Sequence, residues 1–328
     1  MPGVLQEQSS PAPFNIKELH PTFGAEIDNV QLADLSEEDF KQYGFLVFRN
    51  PGLTDESHVA FSRRFGDLDD IRPYMTGGRK PRYAHYELFD AGNVLDDGSV
   101  LSPDAPRAHY GKGNGLFHVD SSFNPRRASY SLLRAAKLPP PGTGGNTEFA
   151  DSRTAFDTLP QELKERLLEQ DYVGAHSLHH SRKRGSPAYF ADLRPEDFPM
   201  HRHRIVQPHA PSGRTNLYLG AHCHHLESLP EGESWQLLWS LMGWATRAEN
   251  VVGVEWRGEG DLIVWDNTAV MHRAAGGAYE GKFVRDLRRT TVHDGSPTAW
   301  GLNERRDTRP GFDSFGGLAG KATGAAVT

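Results

Sequence analysis

The stretch 115-GLFHVDSSF-123 decides how this chain is read. His118 and Asp120 stand two apart among apolar residues, and two serines follow them. In an extended segment, residues i and i+2 project from the same face. An imidazole and a carboxylate can therefore aim at one point. An apolar setting makes such a pair costly unless a cation lies between them. Taken alone, the stretch reads better as a surface strand with a solvated His–Asp pair, so the rest of the chain has to shift that reading.

Working outward, the apolar segments are short and separated by Gly and Pro. GFLVFRN (44–50), ASYSLLRAAKL (128–138), NTEFADS (146–152) and KFVRDLRRTTVHD (282–294) read as strands, and PPPGTGG (139–145) as a turn. VGVEWRGEGDLIVWDNTAVMHRA (252–274) reads as two strands around a Gly turn, and RTNLYLGAH (214–222) alternates polar and apolar residues. Helices are expected at LSEEDFKQ, with Ser36 as cap, and at 53–66, with Thr54 as cap and Gly66 as stop. Two more are expected at 158–170, with a Thr158/Gln161 capping box, and at 231–250. In the last of these, Trp235, Leu238, Trp239 and Met242 form an apolar stripe suited to core or to a subunit contact. The histidine-rich HSLHH (176–180) and HRHR (201–204) read as solvated loops. Residues 68–114 are rich in Gly, Pro, Asp and Tyr, and a loop that long is functional or disordered. The fold class is mainly β with helical decoration, a sandwich or barrel.

Composition narrows the function. The 328 residues carry a net charge of −7 with both signs spread along the chain, which argues against a nucleic-acid partner. A single cysteine, Cys223, rules out an internal disulfide and fits a reducing, cytoplasmic setting. The N-terminal MPGVLQEQSSPAPFN lacks the apolar core of a signal peptide, and no apolar run is long enough to span a membrane. Sixteen histidines hint at metal chemistry.

The second half of a metal site appears in GDLIVWDNTAVMHRA (260–274), an apolar strand and tight turn leading to His272. Two strands distant in sequence can be neighbours in a closed β architecture. His118, Asp120 and His272 would then offer two imidazoles and a carboxylate to one side of a metal, leaving the other side open. That set suits non-haem Fe(II), and Zn(II) accepts it too. After His272 come Arg285 and Arg289, four apart, so about 13 Å apart on one face of a strand with Arg288 on the other. Two inward guanidiniums are costly unless each meets an anion. Carboxylates suit them best. Thr147 could add a hydroxyl to one of these sites. Ser121 and Ser122 could orient Asp120 or its neighbours, and they read equally well as plain strand-end residues.

FHVDSSFNPRRASYSLLRAAKLPPPGTGGNTEFADSRTAFDTLP (117–160) closely resembles the 2,4-dichlorophenoxyacetate/taurine dioxygenase family, as do GDLIVWDNTAVMHRA with RDLRRTT at the other end. LYLGAHCHHLESLPEGE (217–233) resembles the phenoxyacetate branch. The resemblance runs from about residue 17 to 294 and implies a double-stranded β-helix, or jelly roll, using Fe(II), 2-oxoglutarate and O2. It implies His118, Asp120 and His272 as iron ligands, and Thr147 and Arg285 for the far carboxylate of 2-oxoglutarate. It implies Arg289, His222 and Asn93 at the substrate. Residues 68–114 and the segment after 296 depart from the family pattern. The expected organisation is a disordered 1–13, a dioxygenase domain over 14–295 and a flexible extension over 296–328. The expected function is oxidation of a C–H bond of a small carboxylic acid, with release of succinate and CO2. Rival outcomes are desaturation or cyclisation of an amino acid or biosynthetic acid, a non-enzymatic metal- or acid-binding module, and a zinc hydrolase. Homo-oligomerisation is left open.

Overall fold

A computed structural model describes residues 15–28, 32, 43–74 and 81–306. The expected helix with its Ser36 cap, the N-terminal residues 1–13 and the end of the extension from 307 lie outside the described residues.

Fifteen strands are described, in chain order β1 Asn15–His20, β2 Gly24–Asp28, β3 Phe45–Phe48, β4 Phe89–Asp90 and β5 Ala128–Lys137. Then come β6 Thr147–Asp151, β7 Val173–His176, β8 His201–Arg204, β9 Val206–His209 and β10 Arg214–Leu217. The last are β11 Cys223–Leu226, β12 Val251–Val254, β13 Leu262–Asp266, β14 Val270–Ala274 and β15 Asp286–His293. The helices are α1 Asp55–Ser62, α2 Pro106–Gly111, α3 Ser152–Asp157, α4 Gln161–Gln170, α5 Leu178–Gly185 and α6 Glu231–Ala245. Seven strands form one sheet in the order β1-β2-β3-β13-β5-β15-β4, and β12-β6-β14 form a second.

Inside the first sheet, β3 and β13 are buried at every position, which is why FLVF and LIVW read as unbroken apolar runs. Phe45 and Val47 of β3, Ile263 and Trp265 of β13, and Leu133 of β5 point toward the second sheet and pack on Phe149 and Val270. The Phe45 and Phe149 rings stack across that layer at 4.4 Å. Leu46, Phe48, Leu262, Val264 and Leu132 point the other way and pack with Phe61 of α1. This period-two partition is the mainly β, helix-decorated jelly roll expected from the sequence. A third cluster joins α3 and α6 to β10 and β11.

Several local expectations are corrected. His176, His179, His180, His201 and His203 are buried, not solvated, because β7, α5 and β8 form where loops were expected. The segment 252–274 contains three strands, β12 to β14, rather than two. Thr158 does not cap α4. It closes α3, its hydroxyl donating to Thr154 O at 2.8 Å. The buried stripe of α6 is Ser234, Leu237, Leu238, Leu241 and Ala245, and Trp239 is 59 % exposed beneath the Arg184 guanidinium. The expected extension does not begin at 296. Ala299 is buried and its carbonyl accepts from Arg127 N, while Asn303 bonds Pro125 and Arg202, so these residues finish the domain. The 68–114 segment contains β4 and α2, and Arg82 and Arg107 tie it down by binding Asp90.

His203 generates a test. Burial first, and Arg127 second, lower its pKa from 6.5 to about 3. The folded-state value lies below the unfolded one, so its contribution to stability is complete above pH 6.5 and is lost as pH falls toward the folded value. By about pH 4.5 that loss is about 3 kcal/mol at 1.36 kcal/mol per unit. Urea midpoints measured across this range should fall, and fall less steeply in His203→Gln. Parallel slopes would remove His203 from the acid response.

Candidate metal centre

His118 is not in a regular strand. It forms an isolated bridge with His272 of β14, in which His118 N donates to His272 O at 2.9 Å and His272 N donates to His118 O at 2.8 Å. Both histidines are thus fixed by one reciprocal backbone pair. The chain turns immediately after, with Ser121 at φ +55°. Gly220 lies against this bridge, where a Cβ would sit 2.9 Å from His118 Cα.

Asp120 is the centre of the cluster. Its Oδ1 lies 3.8 Å from His118 Nε2, and its Oδ2 lies 3.7 Å from His272 Nε2. One ligand atom from each of the three buried residues falls within 4.8 Å of the others, and among the described residues this is the one such group of three. Ser131 Oγ donates to Asp120 Oδ2 at 2.7 Å, and Arg289 Nη1 donates to Oδ1 at 2.8 Å. Burial opposes ionisation of Asp120, but Arg289, the imidazoles and Ser131 overcome it and hold the pKa at about 2. Burial lowers His118 to about 4 and pushes His272 well below its ordinary value. At neutral pH the cluster is therefore one carboxylate and two neutral imidazoles, the forms that ligate a metal. His118 Nδ1 bonds Leu116 O at 2.7 Å, leaving Nε2 for the centre.

Other expected site residues occupy distinct places. Arg285 is buried, its Nη2 donates to Gly145 O at 2.8 Å and its Nε has no partner among the described residues. Thr147 is also buried with an unpartnered hydroxyl. Gly144 and Gly277 bring their two segments together, since a Cβ on Gly277 would sit 2.2 Å from Thr143 O. Arg289 faces a cavity shared with His118, Asp120, His222, Phe123 and Arg182. The His222 ring stands edge-on to His118 at 5.3 Å.

Asn93 is not among the residues lining that cavity. Its amide holds backbone: Nδ2 donates to Phe283 O at 3.0 Å and Oδ1 accepts from Arg285 N at 2.8 Å. It fixes the approach to Arg285. The serine that bonds the Asp120 carboxylate is Ser131, on β5. Ser122 Oγ lies 3.1 Å from His176 Nδ1.

Sequence reasoning missed Ser131, Asn267 and Arg182. Asn267 was visible only as a turn residue. Its Oδ1 accepts from Asp120 N at 3.0 Å and from Trp265 Nε1 at 3.0 Å, and its Nδ2 donates to Ser129 O at 2.9 Å and Ser131 Oγ at 3.0 Å. Asn267→Ala strands two buried donors at about 1–3 kcal/mol each. Equilibrium denaturation should show a loss of about 2–5 kcal/mol. A loss within about 0.5 kcal/mol, typical of surface changes, would mean that the four bonds are replaceable.

Three comparisons bear on this geometry. Residues 15–291 match the model of the family described as "Taurine catabolism dioxygenase TauD, TfdA family". The alpha-ketoglutarate-dependent 2,4-dichlorophenoxyacetate dioxygenase of Burkholderia sp. (strain RASC) is 36 % identical over 85 % of this chain and 94 % of its own length. The (S)-phenoxypropionate/alpha-ketoglutarate-dioxygenase of Sphingobium herbicidovorans is 32 % identical over 81 % of this chain and 90 % of its own. The crystal structure of AAD-2 in complex with Mn(II) and N-oxalylglycine superposes with a TM-score of 0.77 at 34 % identity, covering 87 % of this chain and 99 % of that one. With the family model spanning nearly the whole described fold, this chain belongs to the TauD/TfdA dioxygenase family.

Proposed function

We propose that this chain is an Fe(II)- and 2-oxoglutarate-dependent dioxygenase that oxidises a C–H bond of an aryloxyalkanoic acid, with release of succinate and CO2. The observation that carries the reading is the buried group of His118, Asp120 and His272 with both imidazoles neutral. Those three residues would hold the iron. Their hard carboxylate and two nitrogens fit Fe(II) and leave room for further ligands.

Arg285 and Thr147 fit the far carboxylate of 2-oxoglutarate. Each has a buried polar atom without a partner, and such atoms are rarely left unpaired in the working state of a protein. Arg285 has no ion-pair partner among the described residues, so an anion there relieves a buried charge. When bound, the iron and 2-oxoglutarate supply the O2-dependent oxidation. The chain's part is to orient the substrate and keep the pocket dry. Ile71, Phe89, Phe123 and Leu178 give the cavity apolar walls suited to an aromatic ring, and Arg289 supplies a cation beside the metal cluster. The named relatives act on phenoxy acids, which supports the same substrate class here.

Succinate formation from a panel of aryloxyacetic and aryloxypropionic acids, with Fe(II), 2-oxoglutarate and ascorbate, tests the assignment. Turnover should need iron and oxygen and should vanish in His118→Ala and Asp120→Ala. Full activity in either variant would sink it. Arg285→Ala leaves one anion unpaired, a cost of about 2 to 5 kcal/mol. The KM for 2-oxoglutarate is therefore expected to rise at least about tenfold, and an unchanged KM would place the cosubstrate elsewhere.

A further inference from the structure

The cavity holds two guanidiniums, and they differ in one respect. Arg289 already has a carboxylate, since its Nη1 lies 2.8 Å from Asp120 Oδ1. Arg182, on α5, has none among the described residues. It is buried at 7 % exposure, its Nη1 donates to Tyr110 O at 2.9 Å and Asn114 Oδ1 at 2.8 Å, and its Nε has no partner. Its guanidinium also lies over the Tyr110 ring at 4.6 Å.

The other acids lining the cavity are engaged elsewhere. Glu87 is 2.6 Å from Arg63, and Asp69 is 3.8 Å from His293 Nε2. Burial lowers the pKa of Arg182, although Tyr110 and Asp120 favour its charged form and Arg289 opposes it. A guanidinium stays charged in proteins. The cavity therefore contains a buried, charged fork without an anion, on the same wall system as the metal cluster, and such a charge costs several kcal/mol until it is paired.

We propose that Arg182 is a second reader of the substrate's carboxylate, which it receives together with Arg289. The inference rests on the reading of this cavity as the substrate site of a 2-oxoglutarate-dependent dioxygenase, and it adds a residue from a different element. Arg289 comes from β15 and shares its charge with Asp120. Arg182 comes from α5 and brings an unshared one. An anion between them closes both forks, while an uncharged analogue of the same shape leaves Arg182 buried and unpaired. Specificity for acids over neutral analogues should thus depend on Arg182.

The test compares 2,4-dichlorophenoxyacetate with its primary amide, both scored by succinate formation as kcat/KM, in wild type, Arg182→Gln and Arg182→Lys. The readout is the ratio of acid to amide. Wild type should favour the acid strongly. Arg182→Gln should lower the ratio at least about tenfold, and Arg182→Lys, which keeps the charge but loses the planar fork, at least about threefold. A residue that only clamps Tyr110 and Asn114 would depress acid and amide together and leave the ratio at its wild-type value. That result in either variant overturns the proposal, and the lysine variant decides the matter if the glutamine variant does not fold. Absence of succinate from every acid in wild type is a separate outcome and overturns the dioxygenase reading itself.

Discussion

The carboxylate of Asp120 is the constraint on which the rest of the site depends. A buried carboxylate is tolerated only when its charge is met on more than one side. Here Arg289 meets one oxygen and Ser131 the other, while Asn267 takes the backbone N–H. Ser131 belongs to β5, Arg289 to β15, and Asn267 follows β13 directly. These three strands are adjacent in the seven-stranded sheet, in the order β13-β5-β15. The sheet order thus converges three neighbouring side chains on one residue that is itself outside the sheet. The carboxylate cannot rotate away without stranding a guanidinium and a hydroxyl, so its two oxygens stay presented toward the two imidazoles.

Where the sequence was legible, the signal was local and the physics short-ranged. His118 and Asp120 share a face because they are two apart in extended backbone, and that holds although the segment is a bridge and a turn rather than a strand. β3 and β13 were readable because strands buried on both faces need apolar residues at nearly every position. Arg288 was read as pointing away from Arg285 and Arg289, and it does pair with Asp55 on the α1 side of the sheet. Family resemblance then linked segments that no periodicity could have joined. Membership in that family gives the metal cluster an enzymatic context that a bare binding module or zinc hydrolase lacks.

What was not legible depended on partners distant in sequence. A run such as HSLHH carries no local sign of whether water or protein will surround it. Here α5 and β7 are covered by β8, β11 and the 110–114 segment, so His176 and His180 end up inside. Arg182 lies two residues beyond that run, and no motif marked it. Asn93 shows the same dependence. An asparagine amide can satisfy backbone groups as readily as ligand groups, and the backbone of Phe283 and Arg285 holds this one. On α6, helical spacing grouped the tryptophans with the leucines, but the leucines fill the cluster beneath while Trp239 stays outside.

The three arginines near the start of β15 show how one strand can give the same side chain different electrostatic positions. Arg288 is paired with two carboxylates, Asp55 and Asp286. Arg289 has a single oxygen of Asp120. Arg285 precedes the strand and has a carbonyl and the Tyr279 ring, but no ion-pair partner among the described residues. A register shift against β5 between Asp286 and Leu287 separates Arg285 from the other two. The residual demand for an anion therefore rises from Arg288 through Arg289 to Arg285. The greatest demand falls at buried Arg285, beside Gly145. The intermediate demand falls at Arg289, beside the metal cluster. Such a gradient needs no difference in residue type. It follows from which carboxylates the fold has already placed within reach of each guanidinium.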